Sequence, residues 1–318
     1  MTIQVQTELP RDGMPASGVA GAARTPTTRR YLMCSPRYFA VDHAINPWMD
    51  PARPVDVQRA VEEWTRLRDT YRQLGHTVEE IKPVPGLPDM VFAANGATVI
   101  GGRVLGARFR AAQRVAEAEH YRQWFVEHGY RDVVMPAKVN EGEGDLIWTG
   151  DLLLAGTGFG DPLHVVGDDG AELEPLPDKP FRTDPTAHAE AQEALGVPVL
   201  SLRLVDPRYY HLDTALMVLS AATETSPAQI AYYPEAFSPG SRRALARLFP
   251  DAVLAEPEDA ECLGLNGVSD GYNVVLPAEA TGLAERLAAR GYRPVPVEVS
   301  ELRKSGGGPK CCTLELRG

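Results

Sequence analysis

Beyond residue 29 the chain alternates between two hydrophobic periods. Stretches with apolar positions three and four apart, the mark of a helix with one buried face, give way to short apolar runs that suit strands. The first helical stretch runs roughly from Val55 to Leu74, with Val61, Trp64, Leu67, Tyr71 and Leu74 on one side. It stops at Gly75 and leads into HTVEEIKPV. AAQRVAEAEHYRQWFVEH repeats the arrangement and ends at Gly129 before YRDVVM; DPTAHAEAQEAL ends at Gly196 before VPVLSL. A fourth helix is expected from Ser238, an N-cap residue followed by Pro239 at the first helical position, and it leads to DAVLA. TGLAERLAAR, closed by Gly291 and followed by YRPVPVEV, is the fifth.

Between these units, MVFAANGATVIGGRVLGARF and DLIWTGDLLLAG read as strand pairs, turning at Gly101-Gly102 and at Thr149 to Asp151. Five strand-and-helix modules suggest repetition about a pseudo-fivefold axis. A doubly wound α/β sheet is the alternative that local pattern leaves open. Two segments break the order. Residues 1 to 29, rich in Gly, Ala, Pro, Thr and Arg without periodicity, are expected to form a loose tail, so that the folded part starts near Arg30. Residues 160 to 181 (GDPLHVVGDDGAELEPLPDKPF) form an insertion far longer than the ~4–6 residues of an ordinary connection, either a lid or a surface loop without a role.

Composition narrows the function classes. The 318 residues, 44% of them hydrophobic, suffice for a sizeable core. A net charge of -11 without a basic stripe opposes nucleic acid and anionic membranes and suits a small cationic substrate. No stretch has the length and apolarity of a membrane span, and the N-terminus lacks the pattern of a secretory signal. The four cysteines, Cys34, Cys262, Cys311 and Cys312, show neither a CxxC pair nor zinc-type spacing. A cytoplasmic protein without structural disulfides is expected.

Four motifs carry candidate chemistry. SGGGPKCCTLEL sets two cysteines after a glycine-rich turn, at the expected start of a strand. Three glycines allow close backbone approach, Lys310 beside Cys311 would favour thiolate, and strand alternation lets only one of Cys311 and Cys312 face a site. A packed, inert thiol is the ordinary alternative. In YYHLDTALMVL, His211 and Asp213 lie two apart on an extended run, either an acid/base beside a cation binder or a satisfied strand histidine with an Asp turn. NEGEGDLIW crowds Glu141, Glu143 and Asp145, which a guanidinium would relieve; a solvated acidic turn also explains them. PDMVFAAN sets Asp89 and Asn95 around a buried-looking strand, where two turns account for them almost as well.

Taken in order, PDMVFAAN, NEGEGD, GTGF with FRTD, YYHLDT and GGGPKCC resemble the guanidino-group-modifying superfamily, and the resemblance runs from Tyr31 onward. That superfamily includes arginine deiminase, dimethylarginine dimethylaminohydrolase, arginine dihydrolase and the amidinotransferases. The resemblance implies a five-bladed α/β propeller, the pentein fold, built of ββαβ modules as one catalytic domain over residues 30–318. Its active site would lie at the centre and use no metal or cofactor. Cys311 would attack the guanidinium carbon, His211 would protonate the departing amine and then activate water, and Glu141 would be the carboxylate of the acidic-glycine motif, with Glu143 its rival. Asp213 would bind the guanidinium, Arg114 (in FRAAQR) and Arg182 (in FRTD) the substrate α-carboxylate, and Asp89 the α-amino end.

Asn95 stands where deiminases and methylarginine hydrolases usually have Asp. An amide donates as well as accepts, so it could hold the ureido oxygen of citrulline. With Asn46 in AINPWMD, this resembles the arginine dihydrolases, which convert arginine to ornithine, ammonia and carbon dioxide. Methylarginine hydrolysis to citrulline comes next, then amidino transfer; a non-catalytic propeller would have no reason to keep Cys, His and acids in register. The expected partner is a small guanidino or ureido amino acid, and the sequence leaves open whether the chain forms a homo-oligomer.

Overall fold

The expected alternation of helix and strand recurs five times. In the structure, a computed structural model describing residues 24–158 and 181–318, β1 (Arg30–Cys34) is followed by α1 (Val57–Gln73) and by β2 (Thr77–Ile81), parallel to β1. Asp56 starts α1 by accepting the Arg59 N–H at 3.0 Å. Gly75 follows its end at φ +91°, a conformation that a Cβ would strain. Trp64, Leu67 and Tyr71 are buried as the pattern predicts. Burial of a side chain such as Leu67 contributes about 1.5–3 kcal/mol.

The remaining modules follow one plan. The hairpin β3 (Ala97–Ile100) and β4 (Arg103–Gly106) turns at Gly101-Gly102, and α2 (Glu117–Glu127) carries the chain to β5 (Val133–Val134). Next come β6 (Leu146–Trp148), β7 (Leu153–Thr157), α3 (Ala187–Leu195) and β8 (Val199–Arg203). After β9 (Leu216–Ser220) and β10 (Gln229–Tyr232), Ser238 caps α4 (Pro239–Leu248) by accepting the Ser241 N–H, and β11 (Val253–Leu254) follows. A short helix, α5 (Pro257–Glu261), precedes β12 (Val268–Ser269), β13 (Asn273–Pro277), α6 (Thr281–Ala289) and β14 (Arg293–Val297). The last strand, β15 (Leu314–Glu315), returns to pair antiparallel with β1.

Among the described residues these strands form five three-stranded sheets, each with a middle strand antiparallel to one neighbour and parallel to the other. A parallel partner demands a long crossover, and a helix supplies it in every module. Five small sheets replace the one continuous sheet of the doubly wound alternative.

Three local expectations are corrected. PDMVFAAN is not a strand but two successive 3-10 turns, Pro88–Val91 and Ala93–Gly96, because Asp89 O and Phe92 O accept the amides three residues on. HLDT is also a 3-10 turn (Leu212–Thr214) rather than part of an extended run. Cys311 and Cys312 lie in a turn before β15, with the Cys312 amide donating to Gly308 O at 3.3 Å.

Of the tail expected over residues 1–29, residues 1–23 lie outside the described residues. The rest is held: the Thr27 amide donates to Asp270 O, and Arg24 packs 3.7 Å from the centre of the Tyr292 ring. Of the insertion expected over 160–181, only Phe181 is described, and it is buried in the core. No helix of the described residues is long and apolar enough to cross a membrane. All four cysteines are free.

Candidate active site

Asn95, Glu141, His211, Asp213 and Cys311 lie just ahead of β3, β6, β9 and β15, while Asn46, Arg114 and Arg182 follow the middle strands β1, β4 and β7. Winding of PDMVFAAN into 3-10 turns, with three residues per turn, brings Asp89, Phe92 and Asn95 onto one side, and all three line a narrow cleft. Its other walls are Ile45, Asn46, Met49, Arg114, Arg182, Tyr210, Ser305 and Cys311. The cleft holds about 10 Å³ of free volume, room for about one water, so an amino acid enters only if the walls part.

Behind that wall Glu141 sits in its glycine-rich turn. Gly142 adopts φ +54°, and an added Cβ there would lie 2.6 Å from Ala97 O, so the backbones pack together only because the residue is glycine. Glu141 Oε2 lies 3.0 Å from His211 Nε2 and 3.3 Å from Arg182 Nη1. Burial opposes its charge, but Arg182, His211 and Arg114 outweigh burial and hold the carboxyl well below the usual range. The bond to Nε2 leaves His211 Nδ1 buried without a partner.

Glu143, the rival, turns elsewhere. It accepts Lys310 Nζ at 2.6 Å, the Glu315 amide at 3.1 Å and Arg317. This corrects the reading of Lys310 as the neighbour that favours a Cys311 thiolate, because its ammonium is committed to Glu143. The third acid, Asp145, accepts the Leu212 amide at 3.0 Å and so anchors the His211 turn; burial pushes it up to about 6.

Cys311 is 2% exposed and its Sγ lies 3.3 Å from Asp213 Oδ2. Burial first, and Asp213 second, push the thiol well above its ordinary value. Burial likewise pushes Asp213 up to about 7. The second oxygen of Asp213, Oδ1, is buried without a hydrogen-bond partner. An unmet buried acceptor costs about 1–3 kcal/mol, which a guanidinium N–H would recover. Cys312 faces away from the cleft, fully buried.

Of the expected substrate-binding residues, Asn46, Asp89, Asn95, Arg114 and Arg182 line the cleft but are tied to the protein, whereas Asp213 lies behind Cys311 and does not line it. Arg114 grips Glu117 through Nε at 3.0 Å and Nη2 at 2.8 Å, Asn95 Oδ1 at 2.7 Å and Asp89 O at 3.2 Å. Asn95 Nδ2 reaches Glu141 O at 3.4 Å. Arg182 donates to Ile45 O at 2.8 Å beside the Tyr210 ring. Asn46 bridges Ser305 O and the Trp48 amide at 3.0 and 2.9 Å. Asp89 meets His43 Nε2 at 3.1 Å.

Sequence reasoning missed His43, Glu117, Tyr210 and Ser305, and above all Asn266, which touches the Cys311 sulfur at 3.1 Å. The one signal for Asn266 was a polar residue inside the apolar run LGLNGV. A larger cavity, about 400 Å³, opens elsewhere between Arg29, Trp148, Leu216, Val268, Lys310 and Arg317. It touches none of the candidate catalytic residues, so the small cleft, where the thiol lies, is the candidate site. Among the described residues no cluster of His, Cys, Asp or Glu could hold a metal ion.

Comparison with known proteins places the chain in a family. No family model matches the chain. It is 50% identical over 295 residues to an N(G),N(G)-dimethylarginine dimethylaminohydrolase of Mycobacterium tuberculosis, covering 93% of this chain and 88% of that protein. It is 32% identical to the bifunctional arginine dihydrolase/ornithine cyclodeaminase ArgZ of Synechocystis, covering 90% of this chain but 37% of that protein. The N-terminal domain of ArgZ, solved as a mutant bound to substrate, matches with a TM-score of 0.79 at 31% identity, over 91% of this chain and 98% of that one. With half its residues shared across nearly the whole of a relative, the chain belongs to the guanidino-group-modifying enzymes, in the family of the dimethylarginine dimethylaminohydrolases.

Proposed function

We propose that the protein hydrolyses a methylated arginine at its guanidinium carbon, releasing citrulline and an amine. The chemistry, hydrolysis of a guanidino carbon–nitrogen bond, is common to its relatives. The substrate follows from the observation that carries this reading: 50% identity to a dimethylarginine dimethylaminohydrolase against 32% to an arginine dihydrolase. That reverses the order expected from Asn95 and Asn46.

In this reading Asp213 accepts the guanidinium N–H groups through its unpartnered Oδ1, and the cation offsets the burial that disfavours a thiolate at Cys311. The thiol proton passes to His211, and the sulfur attacks the guanidinium carbon. His211 returns that proton to the methylated nitrogen as its bond to carbon breaks, leaving a thiouronium on Cys311. Water then adds to the carbon, giving one proton to His211, and collapse expels the sulfur, which takes the remaining hydroxyl proton, and leaves the ureido carbonyl of citrulline. Glu141, 3.0 Å from Nε2, keeps Nδ1 as the working nitrogen and balances the imidazolium. Arg182 and Arg114 would serve the α-carboxylate and Asp89 the α-amino group, each after exchanging a partner it now holds within the protein.

The reading takes residues 30–318 as one catalytic domain closed into a five-bladed propeller. Pairing of β15 with β1 supports closure, as do hydrogen bonds between the segments ahead of successive first strands: Ala94 to Cys311, Asn95 to Glu141, and Leu212 to Asp145. It also takes the enzyme as cytoplasmic, in keeping with four free cysteines.

Arginine dihydrolase activity is the second reading, favoured by Asn95 and Asn46 in the cleft and by the match to the ArgZ domain. Asn95 uses one amide hydrogen on Glu141 O, and the other can meet a ureido oxygen. Mass spectrometry of products from dimethylarginine, arginine, citrulline and agmatine in parallel, with Cys311→Ala as control, separates the readings. Citrulline plus dimethylamine is the expected result. Ornithine from arginine with inert dimethylarginine would transfer the assignment to the dihydrolase, and no product from any of them would sink both.

A further inference from the structure

The site residues occupy equivalent places in the repeat. Asn95 lies just ahead of β3, Glu141 ahead of β6, His211 and Asp213 ahead of β9, and Cys311 ahead of β15. The fifth place, just ahead of β12, belongs to Asn266, which is 0% exposed.

Its amide has no freedom in orientation. Oδ1 accepts the backbone N–H of Gly308 at 2.9 Å and of Cys311 at 3.1 Å, and a backbone N–H can only donate. Nδ2 must therefore face the other way, where it donates to Asp213 O at 3.1 Å and to Cys311 Sγ at 3.1 Å. All four hydrogen-bonding positions of one buried side chain are filled, two of them by the backbone and the sulfur of the same cysteine.

The backbone that delivers Asn266 is itself unusual. Leu263, three residues earlier, is at φ +57°, and among the described residues no other non-glycine residue has a positive φ. Its carbonyl accepts the Asn266 amide at 2.9 Å, and Asp259 holds the adjoining turn by accepting the Gly264 N–H on its carbonyl at 2.8 Å. A leucine in this conformation is disfavoured, and such strain persists where surrounding contacts impose it, characteristically near working groups.

We infer that Asn266 is a further catalytic residue: its Nδ2–H is a fixed donor to the Cys311 sulfur that steadies the thiolate against the neighbouring Asp213 carboxylate. The inference rests on Cys311 being the nucleophile, as proposed above. Near the sulfur, Asp213 and burial both favour the protonated thiol and Lys310 is turned to Glu143; the Asn266 amide, together with the Gly308 backbone N–H, opposes them. The same bond would hold the sulfur on line while it carries the thiouronium carbon.

The test is the pH profile of Cys311 alkylation, read by peptide mass spectrometry with neutral iodoacetamide and cationic 2-chloroacetamidine. Asn266→Asp keeps an oxygen for the Gly308 and Cys311 amides but replaces the donor beside sulfur with an acceptor; Asn266→Ala removes both. Each variant is measured where its circular dichroism remains native. We expect the alkylation midpoint to rise by about one pH unit or more and the rate at neutral pH to fall about tenfold or more in both variants. Profiles within twofold of wild type would overturn the inference, and so would loss of the fold in both variants, which would make the role structural. Failure of the wild-type Cys311 to react with 2-chloroacetamidine would instead overturn its assignment as nucleophile, so the two failures are distinguishable.

Discussion

Replacement of Asp213 by Asn should push two measurable properties of Cys311 in opposite directions. With 3.3 Å between Asp213 Oδ2 and the sulfur, an ionised pair repels by about 5 kcal/mol at an effective dielectric of ~20. Asp213 is itself pushed up to about 7, so near neutrality it carries its charge only part of the time and the realised penalty on the thiolate is smaller, about 1–2 pH units. Asp213→Asn removes that penalty, so neutral iodoacetamide should alkylate Cys311 about ten- to a hundredfold faster at pH 7. A guanidinium substrate, in contrast, loses its anionic partner, worth about 1.5–3 kcal/mol for a charged hydrogen bond, and kcat/KM should fall about ten- to a hundredfold. Stability gives a third readout. Asp213 has a folded value raised above 3.8, so its contribution is full below that pH and is lost as pH rises through about 7. The variant should therefore gain on wild type in urea denaturation at pH 8, by at most about 4 kcal/mol. Slower or unchanged alkylation of the variant would refute the reasoning, whatever its turnover.

Glu141→Gln removes the carboxylate that faces Arg182 and His211; kcat should drop by about 10²–10⁴, and urea titration should show a loss of about 3–5 kcal/mol. Because Glu141 is held below its ordinary 4.5, that stability gap should persist from pH 5 upward and close only as acid protonates the wild-type carboxyl. His43, raised to about 8 chiefly by its hydrogen bond to Asp89, contributes stability below 6.5 that is lost as pH rises through 8. The advantage of wild type over His43→Gln, at most about 1 kcal/mol for this half-screened pair, should vanish by pH 9 in the same titration. Gly142→Ala forces a Cβ against Ala97 O and Ala94 O at 2.6 and 2.7 Å; thermal melts should show a loss of about 1–3 kcal/mol, with lower kcat as Glu141 shifts. An unaltered kcat would separate that turn from the chemistry.

The helices were legible because their signals are local. Ser238 with Pro239 marks the start of α4, and Gly75, Gly129, Gly196 and Gly291 all take the positive φ that ends a helix. The 3-10 turns at PDMVFAAN and HLDT carry no period of their own, since a single turn is too short to produce one, so the sequence leaves strand and turn open at both. Lys310 shows the opposite error, in which adjacency in sequence was taken for adjacency of charge although its partner Glu143 lies 167 positions away. The choice between Glu141 and Glu143 was likewise beyond the sequence, because what separates them is whether His211 or Lys310 stands in front.

By itself, then, the sequence determined the order of helices and strands, the glycines that end them, and a set of acids, cysteine and histidine whose resemblance to guanidino-modifying enzymes named the candidate site. Only the tertiary structure decided which groups meet: Asn266 with a sulfur 45 positions on, Glu141 with an imidazole 70 positions on, Asp213 with a thiol 98 positions on. Periodicity and capping arise within a few residues of the chain and leave their mark there, whereas a buried charge or amide is defined by neighbours that distant segments supply.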